Sequence, residues 1–438
     1  MVSDARLNWD RLTEEATGLL SDYIRVDTVN PPGNESRACE WLGPILDREG
    51  IPYRLYDPGD SHRATLVATL PGTGARGRPL LLLNHTDVVP FEREHWSFEP
   101  LGGEVRDGYV LGRGASDMKG MGVIELMVFL LHKRLNLPLE RDLVFMAVAD
   151  EEAGSALGVE FLAREHPELL ECAYVINEGG SGTTEVFGVR RPVFSIGVAE
   201  KGPFWLRLSA TGRPGHGSVP HDDNAADRLV RALQRIVEWK RPLMPSVEVM
   251  EYFRQLQQGG VLREPITGEL LQRLASEHPR IHSVQTNSIS TTTLQAGVKH
   301  NVIPASASAT LDVRLVPGYD PDRFLTELRG VIDDEKIVIE EVFRSSTPPS
   351  PLDTELYEVI TRSVKSAVED AVVVPGVSTG FTDSRVFRRL GIPAYGFVPV
   401  LLDPEDVGRA HGNDERLSIE NLRLGMQILL DVVRGICA

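Results

Sequence analysis

The sequence predicts an α/β fold, in which an open sheet with parallel strands carries helices on both faces and is interrupted by an inserted α+β module. Short apolar runs alternate with amphipathic segments between residues 64 and 177, which is the rhythm of parallel βαβ units. Near residue 198 the pattern changes to strands in which apolar and polar positions alternate. The chain has 438 residues and is long for one hydrophobic core, so two domains are expected.

Apolar periodicity defines the elements of the α/β part in order. Leu12, Leu20 and Ile24 share one helical face, and the turn-forming segment 30–33 ends that helix. The predicted helices cover residues 10–26, 35–49, 117–135, 158–165, 356–368 and 419–436. The predicted strands cover residues 64–70, 80–84, 142–148 and 174–177. Antiparallel additions to this sheet are compatible with the pattern.

The inserted module has its own set of elements. Its predicted strands are 204–210, 288–294, 305–315 and 337–342, and its predicted helices are 224–239 and 322–332. A proline-rich joint at 347–351 closes it. The predicted domains are therefore a discontinuous α/β domain, residues 1–197 with 347–438, and an inserted α+β domain, residues 198–346, of about 150 residues.

Composition excludes several classes of function. The formal charge of −17 and the pI of about 5.2 argue against binding to nucleic acid or to an anionic membrane surface. No apolar run approaches the roughly 18 residues of a membrane span. The three cysteines are far apart, which argues against a disulfide framework or a thiolate zinc site. A cytoplasmic location is expected.

Possible metal ligands follow five short apolar runs. Because ligands bind outside the carboxyl ends of strands in an open α/β sheet, side chains at several strand ends can converge on one site. The runs lead into His85 and Asp87, into Asp117, into the acids Asp150, Glu151 and Glu152, into Glu178 and into His411. This set has too few histidines for one histidine-rich zinc site and too many acids for a neutral core. A pair of cations that share a carboxylate would account for it.

Two of these motifs have alternative interpretations. Asp87 lies two residues after His85 and can orient that imidazole as a supporting carboxylate, although a structural histidine beside a turn acid fits equally. The glycine-rich run 112–120 resembles a phosphate loop but lacks the required spacing, and its central Asp117 would repel phosphate. Asp117 could instead cap the following helix.

Two further motifs depend on their context. The acids 150–152 follow an apolar strand, and one of them can bind metal while its neighbour serves as a general base. A solvated acidic turn is the alternative. His216, between two glycines, can donate a hydrogen bond to a developing oxyanion, whereas taken alone it would be a histidine of a surface loop.

Seven segments together resemble the M20 metallopeptidase and amidohydrolase family. They are HTDVVP, GRGASDMKG, DEEAGS, NEGG, GHGSVP, NVIPASASATLDVR and RAHGNDE, in the family's order and over essentially the whole chain. Finer details are most similar to the carboxypeptidase S branch, which includes enzymes that hydrolyse and form N-fatty-acyl amino acids. The resemblance implies a zinc-peptidase-like α/β/α catalytic domain with an inserted lid that dimerises.

The resemblance also implies a role for each site residue. Two zinc ions, which cobalt or manganese could replace, would be bound by His85 and Glu178, by Glu152 and His411, and by Asp117 as the bridge. Glu151 would be the general base, and Asp87 would orient His85. His216 would steady the tetrahedral intermediate in the neighbouring subunit of a homodimer. The substrate carboxylate would be held by Asn301, Arg314 and Gly380.

The implied reaction is hydrolysis of an amide bond next to a carboxylate-bearing amino acid. Glutamate at position 178 favours deacylation of N-acyl amino acids. The alternatives are a carboxypeptidase or dipeptidase acting on short peptides and, in another class, a catalytically silent metal-binding protein. Two departures affect local hydrogen bonding: Asp414 replaces the usual asparagine after His411, and Gly217 follows His216.

Overall fold

The computed structural model describes residues 7–60 and 62–438, and its strands and helices follow the predicted alternation. The strands are β1 (Tyr53–Tyr56), β2 (Thr65–Leu70), β3 (Leu80–His85), β4 (Glu104–Arg106), β5 (Tyr109–Leu111), β6 (Leu143–Val148), β7 (Tyr174–Asn177), β8 (Gly182–Val186), β9 (Val189–Glu200), β10 (Gly202–Thr211), β11 (Gly215–His216), β12 (Ser288–Ala296), β13 (Val302–Ile303), β14 (Ser306–Leu315), β15 (Ile337–Arg344), β16 (Val372–Ser378), β17 (Ala394–Gly396), β18 (Leu401–Leu402) and β19 (Arg416–Ser418). The α-helices are α1 (Trp9–Ile24), α2 (Ser36–Arg48), α3 (Lys119–Arg134), α4 (Val159–Glu165), α5 (Ala225–Glu238), α6 (Val247–Gln258), α7 (Gly268–Glu277), α8 (Pro279–Gln285), α9 (Pro321–Ile332), α10 (Glu355–Ala367), α11 (Ser384–Arg389) and α12 (Ile419–Cys437).

The largest sheet, called the main sheet, has the order β1-β2-β6-β3-β7-β17-β9-β8-β18, with β16 paired to β9. The strands β6, β3, β7 and β17 are parallel, while β1 and β2 add antiparallel pairs at one edge. Every residue of β3 is buried, as expected for an apolar strand that is covered on both faces. The predicted sheet with helices on both faces is confirmed.

Alternation along β3 shows how the two faces of the main sheet are covered. Leu80 and Leu82 belong to an apolar cluster that includes α1, α3, α10 and α12. Leu81 and Leu83 point to the opposite face and pack with α4 and α11. Two helical layers therefore enclose the sheet and hold the carboxyl ends of its central strands at one edge.

A second sheet has the order β12-β14-β10-β15 and is antiparallel throughout. Every second residue of β14 is buried, which matches the alternation seen in the sequence. Helices α5 and α9 cover one face of the second sheet around Phe204, Leu311 and Phe324. This sheet with its two helices is the α+β part of the fold.

The helices α6 to α8 follow α5 in the chain, yet they pack on the main sheet and not on the second sheet. Val249 and Phe253 of α6 share an apolar cluster with Val193 of β9 and Val374 of β16. The sequence analysis did not predict these helices. The division into residues 1–197 with 347–438 and 198–346 stays a prediction, and the main sheet continues to Glu200 at the end of β9.

The strand that precedes Asp117 differs from the expectation. β5 pairs with β4 and β19 in a separate three-stranded antiparallel sheet and is not part of the main sheet. Helix α3 begins at Lys119, with Met118 in the N-cap position and no side-chain cap bond. The alternative interpretation of Asp117 as a helix cap is therefore wrong.

Among residues 7–60 and 62–438, no helix combines the length and the apolar character needed to cross a bilayer.

Candidate active site

Five predicted ligands converge beside the carboxyl ends of β3, β6 and β7. His85 Nε2 lies 3.1 Å from Asp117 Oδ1 and 3.6 Å from Glu178 Oε1. On the other side of Asp117, His411 Nε2 lies 3.1 Å from Asp117 Oδ2 and 3.1 Å from Glu152 Oε1. The two oxygens of one aspartate thus face two separate pairs of nitrogen and oxygen ligands.

The electrostatics of this cluster reflect crowded carboxylates. Burial, and next the charge of Asp117, raise the pKa of Glu178 well above its ordinary value. Burial would also raise the pKa of Asp117, but hydrogen bonds from His411 and His85 hold that pKa below its usual range. Hydrogen bonds to Asp117 and Glu152 raise the pKa of His411 to about 10. Cations would relieve the repulsion between these acids.

The donor set fits divalent metal ions on its own geometry. Two groups of potential ligand atoms each lie within 4.8 Å of one another, one from His85, Glu151 and Glu178 and one from His85, Asp117 and Glu152. Imidazole nitrogens and carboxylate oxygens are ligands that zinc accepts, and one shared carboxylate is the usual bridge of a paired site.

The second nitrogen of His85 has a partner other than the one predicted. His85 Nδ1 lies 3.0 Å from the main-chain oxygen of Asp87 and 3.5 Å from its carboxylate Oδ1, so the hydrogen bond is made with the backbone. The Asp87 carboxylate instead accepts from the main-chain N–H groups of Glu151 and Glu152 at 3.2 and 3.1 Å. Asp87 therefore orients the acidic loop as well as the imidazole.

Glu151 lies next to this cluster and faces the cleft. Its residue is 8% exposed, and it lines a cavity of about 450 Å³ together with Asp117, Glu152, Glu178 and His411. Burial, and then the charge of Glu178, raise the pKa of Glu151 well above its ordinary value. A carboxylate in this setting is suited to proton transfer, provided that neighbouring cations offset the surrounding negative charge.

An ion pair that the sequence analysis missed ties two ligand loops together. Arg113 Nη1 donates to Glu415 Oε2 at 2.7 Å, and both side chains are buried. Glu415 Oε1 accepts from the main-chain N–H groups of Ser116 and Asp117 at 2.8 and 3.0 Å. Arg113 lies four residues before Asp117, and Glu415 lies four residues after His411. Both belong to motifs quoted from the sequence, which was the only available signal.

The substituted Asp414 has a defined local role. Its Oδ1 accepts from the main-chain N–H of Ser97 at 2.8 Å, and its main-chain oxygen accepts from Arg409 at 3.1 Å. Asp414 and His411 both have left-handed backbones, with φ of +53° and +59°. The loop that carries His411 is thus tied to the segment 93–97 without an asparagine at position 414.

Arg314 and Gly380 line the same cleft, as do Trp205 and Phe381. Arg314 Nε and Nη2 donate to Asp312 at 2.7 and 3.2 Å, and the guanidinium lies 5.3 Å from the ring centre of Phe381. Arg314 Nη1 is buried and has no hydrogen-bond partner among the described residues. A free donor of this kind is available for an anionic group of a bound molecule.

A second cavity, of about 360 Å³, adjoins the cluster and shares Asp117, Glu178, Gly179 and Ser378 with the cleft. Its walls come from α6, α8 and the strands β8, β9, β16 and β18. Most of its lining is apolar, including Val186, Val193, Val249, Phe253, Ile281, Val284, Val374, Val377, Val400 and Leu402. The candidate metal centre therefore borders both an apolar cavity and a cleft that carries six ionisable side chains.

His216 and Asn301 are not brought to this cluster. They lie together where β11 pairs with β13, and His216 is exposed, with Nδ1 close to Ser218 Oγ at 2.8 Å. Asn301 accepts from the N–H of Gly217 through its main-chain oxygen at 2.9 Å, while its side-chain Oδ1 is buried without a partner among the described residues. Neither residue is among those that line the cleft within this chain.

The family model described as peptidase family M20/M25/M40 matches residues 81–435. The chain is 32% identical over 375 residues to the N-fatty-acyl-amino acid synthase/hydrolase PM20D1 of Xenopus tropicalis, covering 82% of this chain and 72% of that protein. It is 29% identical over 430 residues to aminoacylase-1 of Sus scrofa, covering 96% and 95%.

The fold is similar to that of a crystallised M20 family metallo-carboxypeptidase, Sso-CP2 from Sulfolobus solfataricus. The TM-score is 0.73 at 18% sequence identity, with 96% of this chain and 99% of that chain covered. At this identity the likeness shows the shared fold.

Proposed function

The chain belongs to peptidase family M20/M25/M40 and is a hydrolytic enzyme, and we propose that it removes apolar acyl groups from N-acyl amino acids with the help of two divalent cations. The observation that carries this proposal is the position of the candidate metal centre, which borders both an apolar cavity and a cleft with a free arginine donor. This arrangement suits a substrate with an apolar chain on one side of its amide and a carboxylate on the other.

Each cation would have its own side of Asp117. His85 and Glu178 would hold one ion, His411 and Glu152 would hold the other, and Asp117 would be shared by both. Zinc fits these nitrogen and oxygen ligands, and cobalt or manganese could replace it. When bound, the two ions would supply the positive charge that acidifies water and polarises the scissile carbonyl.

Glu151 would transfer the proton. It would accept a proton from the attacking water and later deliver it to the nitrogen of the departing amino acid. Its main-chain N–H is held by Asp87, so the carboxylate is supported by a fixed backbone. The chain has all five candidate ligands and also Glu151. A protein that only binds metal would not need Glu151, so its presence favours an enzyme.

Arg314 would bind the carboxylate of the amino acid. Its Nη1 is free, and Asp312 fixes the guanidinium plane through two hydrogen bonds. A guanidinium fixed in this way loses little side-chain freedom when it pairs with a carboxylate. Gly380 lies in the same wall and can let the substrate approach its backbone closely.

The apolar cavity distinguishes the proposal from a dipeptidase. A dipeptide would place a free ammonium group in the position of the acyl chain. Three acids line the cavity: Asp117 and Glu178 are assigned to the cations, and Asp406 is already paired with Arg409 and Arg416 at 3.0 and 2.7 Å. An acyl chain would bury its methylenes against valines, whereas an ammonium would lose its hydration without gaining a new partner.

The test is a hydrolysis panel in which the leaving amino acid is kept constant. The purified, zinc-loaded protein is assayed with N-decanoyl-leucine, N-acetyl-leucine and glycyl-leucine. We expect kcat/KM to fall in that order, with about a fourfold gain for each methylene that enters the cavity. A dipeptide that is hydrolysed faster than both acyl substrates would favour the carboxypeptidase or dipeptidase alternative.

A matched pair of variants tests whether this cavity is the source of the preference for long acyl chains. Val377→Phe would narrow the cavity and reduce the preference for decanoyl over acetyl, because Val377 is part of the wall. Val342→Phe changes an exposed valine of β15 and should leave the preference unchanged. An unaltered preference in Val377→Phe would contradict the assignment of this cavity to the acyl chain.

We also propose a homodimer in which His216 serves the active site of the other subunit. The proposal is supported by the exposure of His216, by exposed Val219, Val298 and Val302 in and around the β11–β13 pair, and by exposed Leu294 of β12. Mixing Glu151→Gln subunits with His216→Ala subunits should restore up to a quarter of wild-type activity, since half of the subunits in a statistical mixture enter hybrids with one intact site. A mixture no more active than its components would contradict this arrangement.

A further inference from the structure

Asp150 connects the end of β6 to the acids Glu151 and Glu152, and its backbone is left-handed. Its φ is +68°, a conformation that residues other than glycine seldom adopt. Aspartate adopts this conformation in ordinary turns, as Asp333 does after α9, but at Asp150 the residue is buried and is held by side-chain contacts. Asp150 is buried and is not among the residues that line the cleft.

Both carboxylate oxygens and the main-chain N–H of Asp150 form hydrogen bonds. Its Oδ1 accepts from Arg63 Nη1 at 2.8 Å and from Asn30 Nδ2 at 3.3 Å, and its Oδ2 accepts from the N–H of Leu157 at 2.9 Å. Its main-chain N–H donates to Glu35 Oε1 at 3.1 Å. Both the side chain and the backbone of Asp150 are therefore held in one position.

Arg63 is the centre of this arrangement, which we call the Arg63 network: Asn30, Glu35, Arg63 and Asp150. Besides Asp150, Arg63 Nη1 contacts Glu35 Oε1 at 2.7 Å, and Arg63 Nη2 donates to Asn30 Oδ1 at 3.1 Å. The side chains of Arg63 and Glu35 are 8% and 0% exposed. One buried guanidinium thus joins two carboxylates and an amide.

Asn30 extends the network to the acidic loop. Its Nδ2 donates to Asp87 Oδ2 at 2.8 Å. Asp87 in turn accepts from the N–H groups of Glu151 and Glu152, as described above. The backbone of Glu151 is therefore reached along two routes: directly through Asp150, and through Asn30 and Asp87.

Stability alone does not account for the Arg63 network. Buried ion pairs repay their desolvation poorly, and well-packed apolar residues of similar volume are often as stable. None of the four residues lines the cleft, so substrate contact does not account for them either. All four residues are instead linked by hydrogen bonds, through Asp150 or Asp87, to the backbone at Glu151.

We propose that Arg63, Asn30 and Asp150 are positioning residues that fix the backbone at Glu151 and thereby direct its carboxylate into the cleft. The inference goes beyond the proposed substrate and holds for hydrolysis of any amide at this site. A misplacement of about 1 Å in such a group can lower the rate about a hundredfold.

The first test is Asp150→Gly, because glycine accepts the positive φ without strain while the carboxylate is lost. We expect kcat to fall about a hundredfold with KM within about twofold of wild type. In the metal-free protein, amide hydrogens of residues 149–157 should exchange at least about tenfold faster. Asp333→Gly, at a left-handed aspartate that ends α9, is the matched control and should change neither quantity.

Arg63 supplies the second test, which also covers the case in which Asp150→Gly fails to fold. Arg63→Met should reproduce both effects, and Arg63→Lys should recover part of kcat because it keeps the cation. Wild-type kcat and exchange in Asp150→Gly and Arg63→Met would overturn the proposal, as would a rise in KM at unchanged kcat. Exchange is measured without substrate, so a wrong substrate assignment would not affect that result.

Discussion

The two sides of the cleft differ in how their functional side chains are held. On the main-sheet side, Asp87, Asp117 and Glu151 are tied to neighbouring loops by hydrogen bonds that begin and end within this chain. On the second-sheet side, Arg314 has an unpaired Nη1, and outside the cleft His216 of β11 is exposed. The metal-binding half is therefore organised before anything binds, whereas the substrate-binding half is left with donors that substrate or a second subunit must satisfy.

The largest expected effect on activity comes from replacing Glu151, the proposed general base on the main-sheet side of the cleft. Glu151→Gln should lower kcat by about 10²- to 10⁴-fold, the range that a general base supplies, while bound metal stays at the wild-type level. Steady-state kinetics and elemental analysis on the same preparation would measure both quantities. Undiminished hydrolysis in this variant would refute the role of Glu151.

The next effect concerns the ion pair behind the ligand loops. Glu415→Ala leaves Arg113 buried without its carboxylate, which should lower the free energy of unfolding by about 3–5 kcal/mol. Urea denaturation of the metal-free protein would measure this loss. Glu104→Ala breaks an exposed pair with Arg106 and should change stability by less than about 1 kcal/mol. Equal effects of the two variants would remove the distinction between the organised core and the surface.

On the substrate side, Arg314→Met tests recognition without disturbing the metal ligands. For an N-acyl amino acid, kcat/KM should fall about 10- to 100-fold, in line with a lost hydrogen bond to a charged group. For the corresponding substrate with a carboxamide in place of the carboxylate, the variant and the wild type should differ little. A similar loss with both substrates would show that Arg314 does not read the carboxylate.

The smallest effect lies at the junction of the two sides. Lys201 follows β9 and is fully buried, and its Nζ lies 2.8 Å from Ser288 Oγ. Burial, together with the smaller effect of the charge of Arg314, lowers the pKa of Lys201 to about 7. Between pH 7 and the ordinary lysine pKa near 10.4, the unfolded chain binds more protons than the folded one, so stability rises with pH in this window.

Lys201→Met should remove this contribution, which has a slope of at most about 1.4 kcal/mol per pH unit. Denaturation of wild type and variant from pH 6 to 10 would compare the two slopes. Lys365→Met, at an exposed position of α10, serves as the control. Identical pH dependence of Lys201→Met and wild type would contradict a buried lysine with a lowered pKa.

The same comparison explains how far the sequence could lead. Apolar periodicity located β3, β6 and β7 within one or two residues, because a buried parallel strand must be apolar throughout. The ligands could be predicted because they follow such strands or stand in recognisable motifs. Arg63, Asn30 and Glu35 could not, because a buried ion pair depends on contacts between segments that lie far apart in the chain.

Helices α6 to α8 escaped prediction for a related reason. Val249 and Phe253 have helical spacing, but nothing local indicates that they pack on β16, more than 100 residues downstream. The apolar cavity is a product of that packing, so its lining was not recognisable from the sequence. Residues of α6 and α8 line this cavity next to the candidate metal centre.

The most direct test of the central claim is a zinc titration of the metal-stripped protein, with bound metal and hydrolysis of N-decanoyl-leucine followed together. Activity should reach its maximum only as the second zinc ion per chain is bound, and Asp117→Ala should prevent the paired occupancy. Full activity with one ion or none, or full paired occupancy in Asp117→Ala, would contradict a two-cation centre bridged by this residue.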